Sequence, residues 1–353
     1  MTGRAGHEPR TLRALVVDDS GASRAELTRI LAGAPGVIVV GAARDGEEAL
    51  REALRLRPDF VVLDLQMPRM DGFTFLRLLM AQRPTPAIVV SAQAGRSDVF
   101  KALELGALDF VAKPEGGGVA AIREELLEKC ETVRALRLEN LSQVAGAPVA
   151  RAGAGRAEPR RVALVGASTG GPQAILQLLA GIPADLSLGF VIAQHMPERF
   201  TAAFAERLGR HTPFSAQEAA DGDLVAAGRV LVAPGGHHLE VRRDGTGALR
   251  AAVLPRDAPG PVARCCPSID RLFGSGARVL GPRACAAVLT GMGHDGRDGI
   301  VEVRRAGGLT LAESSDSAVV YGMPQAAAET GAVDAVLRLD ALAAAIVRFA
   351  REP

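Results

Sequence analysis

The chain runs twice through one local rhythm: a short apolar, β-branched run, a polar or glycine-rich turn, then an amphipathic helical stretch. Few folds accommodate that rhythm, because successive parallel strands need a crossover and a helix usually supplies it. Up to about residue 139 the runs are LRALVV, VIVVG, FVVLD, AIVVS and DFVAK, and helical spacing fills 23–31, 47–56, 73–80 and 98–105 between them. Five such units predict an α/β domain with a five-stranded parallel sheet in flavodoxin-like order. Its functional groups belong at the C-terminal ends of the strands.

The rhythm stops at 140–160, NLSQVAGAPVARAGAGRAEPR, where Ala, Gly, Pro and Arg leave little to bury and a flexible linker is expected. It resumes with RVALVG, GFVIAQH and ACAAVLTG. Among these, GRVLVAPGGHHLEVRRDGTGALRAAVL carries Gly-Gly and Asp-Gly turns that point to antiparallel hairpins. The second half is therefore expected to be a doubly wound α/β domain with a β-hairpin insertion. The resulting division is a first domain over 1–139, a linker over 140–160 and a second domain over 161–353.

A length of 353 residues is ample for two hydrophobic cores. The 41 basic and 40 acidic residues leave a net charge of +1, with none of the excess that nucleic acid or an anionic membrane attracts. Aromatic residues make up 3% and Trp is absent, which argues against stacking on bases, so no nucleic-acid partner is expected. Four irregularly spaced cysteines fit a reducing compartment better than a disulfide framework. The start lacks a signal-like apolar core, and no run approaches the roughly 20 apolar residues of a membrane span. A cytoplasmic protein without direct membrane insertion is expected.

In the first half, Asp18 and Asp19 end the first run, Asp64 the third, Ser91 the fourth and Lys113 the fifth. Three carboxylates meeting at one sheet edge repel one another, and a hard cation such as Mg²⁺ relieves that while leaving Asp64 able to attack a phosphoryl group. Lys113 and Ser91 could hold phosphate oxygens. The alternative for each carboxylate alone is a cap on the next helix.

In the second half, VGASTGGPQ admits several templates. The P-loop lysine is missing, and a dinucleotide fingerprint would need glycine at Ser168 and an acidic residue where Leu188 stands. The pattern G-x-S-x-G fits Gly166, Ser168 and Gly170 between a strand and a helix, which exposes a nucleophilic hydroxyl. A helix N-cap ahead of Pro172 is the competing role for Ser168. His195 ends GFVIAQ at the same edge and is the candidate base; Asp295, after VLTGMG, would orient it or else cap the helix through Val303. His211 reads as a helix C-terminal residue, and His237 and His238 as hairpin-turn residues at the surface or against substrate. The spacing of His237, His238, Cys265, Cys266 and His294 matches no common zinc pattern, and Cys265 and Cys266 read as small packing residues, since adjacent cysteines make a strained disulfide.

Two resemblances organise these residues. VVDDS, LDLQMPRMDGFTFL, VSAQA and ALDFVAKP resemble the receiver domain of two-component response regulators. This implies phosphoryl transfer from a chemotaxis histidine kinase to Asp64, Mg²⁺ on Asp18, Asp19 and Asp64, and switch residues at Ser91, Lys113 and Phe110. GASTGGP, AQHMPERFTAAFAERL, APGGHHLE, PSIDRLF, LTGMGHDGRDG and YGMPQAA resemble the catalytic domain of the chemotaxis protein-glutamate methylesterases. The resemblance implies hydrolysis of glutamyl methyl esters on the cytoplasmic helical bundle of methylated chemoreceptors, and deamidation of receptor glutamines. Ser168, His195 and Asp295 would be the triad, with the backbone N–H groups of Thr169 and Met292 facing the oxyanion and no cofactor for the ester chemistry. Ala263, Cys265 and Cys266 stand where that family has Asn, His or Arg, and His294 stands in place of Asn, which puts the deamidase activity in question. A non-catalytic binding module is the competing class; a transcription factor is not, for want of a helix-turn-helix pattern or basic patch.

Overall fold

Both βα series are realised. The computed structural model describes residues 11–91, 96–113, 119–136, 140, 157–261 and 263–352, with the backbone alone at 91, 96 and 97. The chain divides into two units, Met1–Gln143 and Val144–Pro353. The linker expected over 140–160 falls largely outside the described residues, which include only 140 and 157–160 of it.

The first unit runs β1 (Leu12–Val17), α1 (Gly21–Ala32), β2 (Val37–Ala43), α2 (Gly46–Leu56), β3 (Phe60–Leu63), α3 (Gly72–Gln82), β4 (Ala87–Ser91), α4 (Arg96–Glu104), β5 (Asp109–Ala112) and α5 (Arg123–Arg134). Its five strands lie in the order β2-β1-β3-β4-β5, all parallel, which is the flavodoxin-like arrangement. β3 is buried along its whole length, as a strand covered by helices on both faces must be. In register, Val17 faces Leu63, so Asp18 and Asp64 are the next residues on adjacent strands.

The second unit runs β6 (Arg161–Ala167), α6 (Gly171–Ala180), β7 (Leu188–Gln194), α7 (Glu198–His211), β8 (Ser215–Glu218), β9 (Arg229–Val232), β10 (His237–Arg243), β11 (Leu249–Pro255), α8 (Ile269–Leu280), β12 (Ala284–Val288), α9 (Arg297–Arg305), β13 (Leu309–Glu313), α10 (Met323–Ala328), β14 (Ala335–Leu337) and α11 (Leu339–Arg351). Seven strands form a parallel sheet in the order β14-β13-β12-β6-β7-β9-β8. β6 and β7 lie side by side at its centre. All seven residues of β7 are buried.

The insertion is a single hairpin, β10 with β11, turned over Asp244–Ala248. Two expectations need correction here. Arg229–Val232 does not belong to a hairpin; it pairs in parallel with β7 and β8, because its buried Val-Leu-Val completes the sheet. His237 and His238 open a strand instead of sitting in a turn, and His238 is 2% exposed. Its Nδ1 accepts from Ser268 N at 3.2 Å and its Nε2 donates to Arg256 O at 3.2 Å, so it is a core residue binding the hairpin to α8. Burial, with Arg271 nearby, lowers its pKa and keeps the ring neutral.

Candidate functional site

Each unit gathers polar groups at the C-terminal edge of its sheet. In the first, Lys113 Nζ donates to Asp18 Oδ2 at 2.7 Å and to Asp64 Oδ2 at 3.0 Å. Carboxylate oxygens of Asp18, Asp19 and Asp64 lie within 4.8 Å of one another. None of the three caps the following helix: Ser20 caps α1 and Asp71 caps α3, accepting from Ser23 N and Thr74 N. That removes the capping role as their explanation. Burial raises the Asp18 carboxyl above its ordinary range, against the pull of Lys113. Burial works against the Lys113 cation too, but Asp18 and Asp64 outweigh it and raise its pKa. The donor set, hard oxygens from three converging carboxylates, fits Mg²⁺.

The glycine that begins α3 allows this edge to close. A Cβ on Gly72 would come 2.5 Å from the Asp64 carbonyl oxygen and 2.7 Å from Leu65 Cα, so only glycine lets the helix pack against the Asp64 loop. Phe110 is buried in β5. Ser91 closes β4, and its side chain lies outside the described residues.

In the second unit, Ala167 and Gln194 are paired in register, which makes Ser168 and His195 the next residues on adjacent strands. His195 N donates to Ala167 O at 3.0 Å, and the buried Gln194 amide donates to Ser168 O at 2.9 Å and to His195 O at 3.0 Å. The two backbones are thereby tied together. Ser168 is not the cap of α6: Gly170 is, at φ 78°, with no side-chain bond. Among the described residues the Ser168 hydroxyl makes no hydrogen bond, so nothing ties it up before it meets a base.

His195 Nε2 lies 2.8 Å from Asp295 Oδ2. A carboxylate can only accept, so Nε2 carries the proton and Nδ1 is left as the basic nitrogen. Asp295 does not cap α9 either; Gly296 occupies that position. Instead its oxygens accept from Ile269 N at 2.8 Å and Asp270 N at 3.0 Å, in the first turn of α8, and from Ser268 Oγ at 3.3 Å. Burial raises the Asp295 pKa, but His195 and these N–H groups outweigh it and hold the group ionised. His195 is likewise disfavoured as a cation by burial, yet Asp295 and the adjoining Cys265 raise it to about 9.

The turn after β12 completes the edge. Ser168 N donates to Thr290 O at 3.0 Å, and the Thr290 hydroxyl donates to Thr169 O at 2.9 Å. Thr290 N donates to buried Glu313 at 2.9 Å. Thr169 and Thr290, two residues before Met292, are thereby held at the same edge as Ser168.

A family model for the CheB methylesterase matches residues 163–346, and one for the response regulator receiver domain matches 14–123. The chain belongs to the CheB methylesterase family. It is 71% identical over 343 residues to protein-glutamate methylesterase/protein-glutamine glutaminase 6 of Anaeromyxobacter dehalogenans strain 2CP-C, covering 97% of each chain. It is 49% identical to protein-glutamate methylesterase/protein-glutamine glutaminase 1 of Myxococcus xanthus strain DK1622, covering 96% of each. Among solved structures, the Thermotoga maritima CheB methylesterase catalytic domain matches with TM-score 0.50 and 31% identity, over 53% of this chain and 97% of that one. No helix among the described residues is long and apolar enough to cross a membrane.

The structure also places residues at this edge that the sequence does not single out. Asp270 accepts from Gly296 N at 3.0 Å and Gly299 N at 2.7 Å, clamping the turn that carries Asp295. Its signal was an acidic residue two positions after the N-cap Ser268, readable as a helix start but not as a bond to a second helix. Cys265 is half-buried beside His195 instead of packed in a core. Nothing in its sequence spacing could have shown this.

Proposed function

We propose that this protein is a phosphorylation-regulated protein-glutamate methylesterase and protein-glutamine glutaminase of chemotaxis adaptation, acting in the cytoplasm on the helical bundle of methylated chemoreceptors. The observation that carries the chemistry is the 2.8 Å His195–Asp295 contact at the strand edge that also holds Ser168. The names of the full-length relatives supply the substrate class.

In this reading Nδ1 of neutral His195 takes the Ser168 proton as Oγ attacks the glutamyl carbonyl carbon. The backbone N–H groups of Thr169 and Met292 stabilise the oxygen that gains negative charge. As the intermediate collapses, the bond from carbon to methoxy oxygen breaks and His195 delivers the proton, so methanol leaves. Water then attacks the acyl-serine with His195 again as base, releasing glutamate and restoring Ser168. With glutamine as substrate the same steps release ammonia. Asp295 keeps the ring in the useful tautomer throughout.

The receiver, over 1–139, is joined through 140–160 to the hydrolase over 161–353. An Asp64 oxygen attacks the phosphorus carried by the partner kinase's histidine, and the phosphorus–nitrogen bond breaks. Asp18, Asp19 and Asp64 would hold Mg²⁺, which when bound supplies charge neutralisation for the transferring group. Lys113 and Ser91 then bind phosphoryl oxygens, and Phe110 is the aromatic switch residue.

The test is methanol release from methylated chemoreceptor membranes. Release by wild type, its loss in Ser168→Ala and its increase with a small phosphodonor plus Mg²⁺ are the expected results. Undiminished release by Ser168→Ala would overturn the triad, and equal rates with and without donor would overturn the regulation.

A further inference from the structure

The imidazole of His195, the thiol of Cys265 and the carboxylate of Asp295 bring a nitrogen, a sulfur and an oxygen within 4.8 Å of one another. We propose that these three side chains form an inhibitory binding site for a zinc ion. The metal would be held against the catalytic imidazole. Binding itself does not depend on the proposed function; inhibition rests on the triad reading.

The donor chemistry selects the metal. Thiolate and imidazole are ligands for zinc and copper, whereas the hard cations of the receiver edge prefer oxygen alone. Three protein ligands with a fourth position open to water is the usual arrangement of an accessible zinc site. Tetrahedral zinc with ordinary bond lengths sets its ligand atoms roughly 3.3–3.6 Å apart. The observed cluster falls inside that reach after small side-chain rotations, with Asp295 and His195 parting by about half an ångström from their 2.8 Å contact.

None of the three is fully enclosed, with 17% of the His195 side chain and 12% of the Asp295 side chain still exposed, so an ion has a path from solvent. Charge also balances: the two positive charges of the ion meet one thiolate and one carboxylate around a neutral ring. As zinc binds, the Cys265 thiol proton leaves to solvent and the His195 proton moves from Nε2 to Nδ1, so the ring stays neutral while zinc forms bonds to sulfur, nitrogen and oxygen. The backbone already fixes two of the ligands. Asp295 is held by Ile269 N and Asp270 N, and His195 by its 3.0 Å bond to Ala167 O. With its ring nitrogen bound to the metal and its remaining nitrogen protonated, His195 can no longer take the serine proton.

The experiment uses the full chain in excess Mg²⁺, which fills the receiver carboxylates, with Co²⁺ as the spectroscopic probe for zinc. Wild type should bind one Co²⁺ with a thiolate-to-metal charge-transfer band that Zn²⁺ abolishes on addition. Cys265→Ser should lose the band and Cys266→Ser keep it. Methanol release by wild type should fall with added Zn²⁺ and recover with chelator, while Cys265→Ser, measured against its own uninhibited rate, should need at least roughly tenfold more zinc. A band that survives in Cys265→Ser, no band in wild type, or equal zinc sensitivity of the two overturns the site. Ser168→Ala separates the two readings: it should keep the band while losing methanol release, and continued release there would count against the triad and not against the metal site.

Discussion

Asp270 and Asp295 cap each other's helices. Asp295, just before α9, accepts from Ile269 N and Asp270 N at the start of α8, while Asp270 accepts from Gly296 N and Gly299 N at the start of α9. The orienter of the catalytic imidazole is therefore only as well placed as the crossing of two helix N-termini. Asp270→Ala leaves two part-buried N–H groups unpaired and should destabilise the methylesterase unit by about 1–3 kcal/mol. Asp270→Asn, which keeps an acceptor oxygen, should retain most of that stability. Calorimetry of the full chain checks both, and equal melting of the Ala variant and wild type would break the argument.

Burial, together with the Asp295 charge, raises the Asp270 pKa from its ordinary 3.8 to about 7. The folded state therefore binds a proton more tightly than the unfolded one. The resulting stability is fully present below 3.8 and is lost as pH rises through about 7. Asp270→Asn should flatten the fall in stability across that window, which denaturant titrations at a series of pH values would show. An unchanged slope would place the proton elsewhere.

His195 is raised to about 9, with burial opposing and Asp295 and Cys265 prevailing. A general base works only when deprotonated, so kcat/KM for ester hydrolysis should climb with pH and level off near that value. Asp295→Asn removes the charge that favours the imidazolium and leaves the ring free to take the wrong tautomer. Its rate should drop by about 10³–10⁴-fold and its rising limb should move toward more acidic pH. Profiles measured in the presence of chelator keep metal binding out of the comparison.

Gly291, in the turn after β12, packs against the nucleophile. A Cβ there would come 2.7 Å from Ser168 Cβ and 2.5 Å from Met323 Sδ. Gly291→Ala should therefore displace Ser168 and the Met292 turn together, lowering kcat for methanol release and costing about 1–3 kcal/mol of stability. Phosphorylation of Asp64 by a small donor should be unaffected. A fully active Gly291→Ala would show that the turn yields without moving Ser168.

What the sequence revealed and what it hid follow one physical division. β-branched runs and helical spacing are local, and so the five units of the first sheet, and Ser168, His195 and Asp295 at strand ends, could be placed from them. β8, Ser-Ala-Gln-Glu with every residue half-buried, has no apolar alternation to betray it. The capping alternatives for Ser168 and Asp295 were reasonable readings of neighbouring residues, but Gly170 and Gly296 hold those positions. Asp295 bonds to Ile269 and Asp270 at the start of α8, which precede it by 26 and 25 residues. His238 and Cys265 escape a local reading for the same reason: the hairpin packs on α8 and the 263–267 segment meets His195 only in three dimensions.

Lys113 stands inside the receiver edge as a built-in counter-ion, 2.7 Å from Asp18 and 3.0 Å from Asp64. Both carboxylates and the ammonium are buried, so removing the cation strands two like charges together. Lys113→Ala should lower the stability of the metal-free receiver by about 3–5 kcal/mol. Because the lysine and a divalent cation answer the same carboxylates, Mg²⁺ should raise the melting temperature of the variant more than that of wild type, and should bind it more tightly. Melting curves with and without Mg²⁺ decide this. An equal shift in both proteins would mean that Lys113 and the metal act on separate charges, and that the three carboxylates do not form one site.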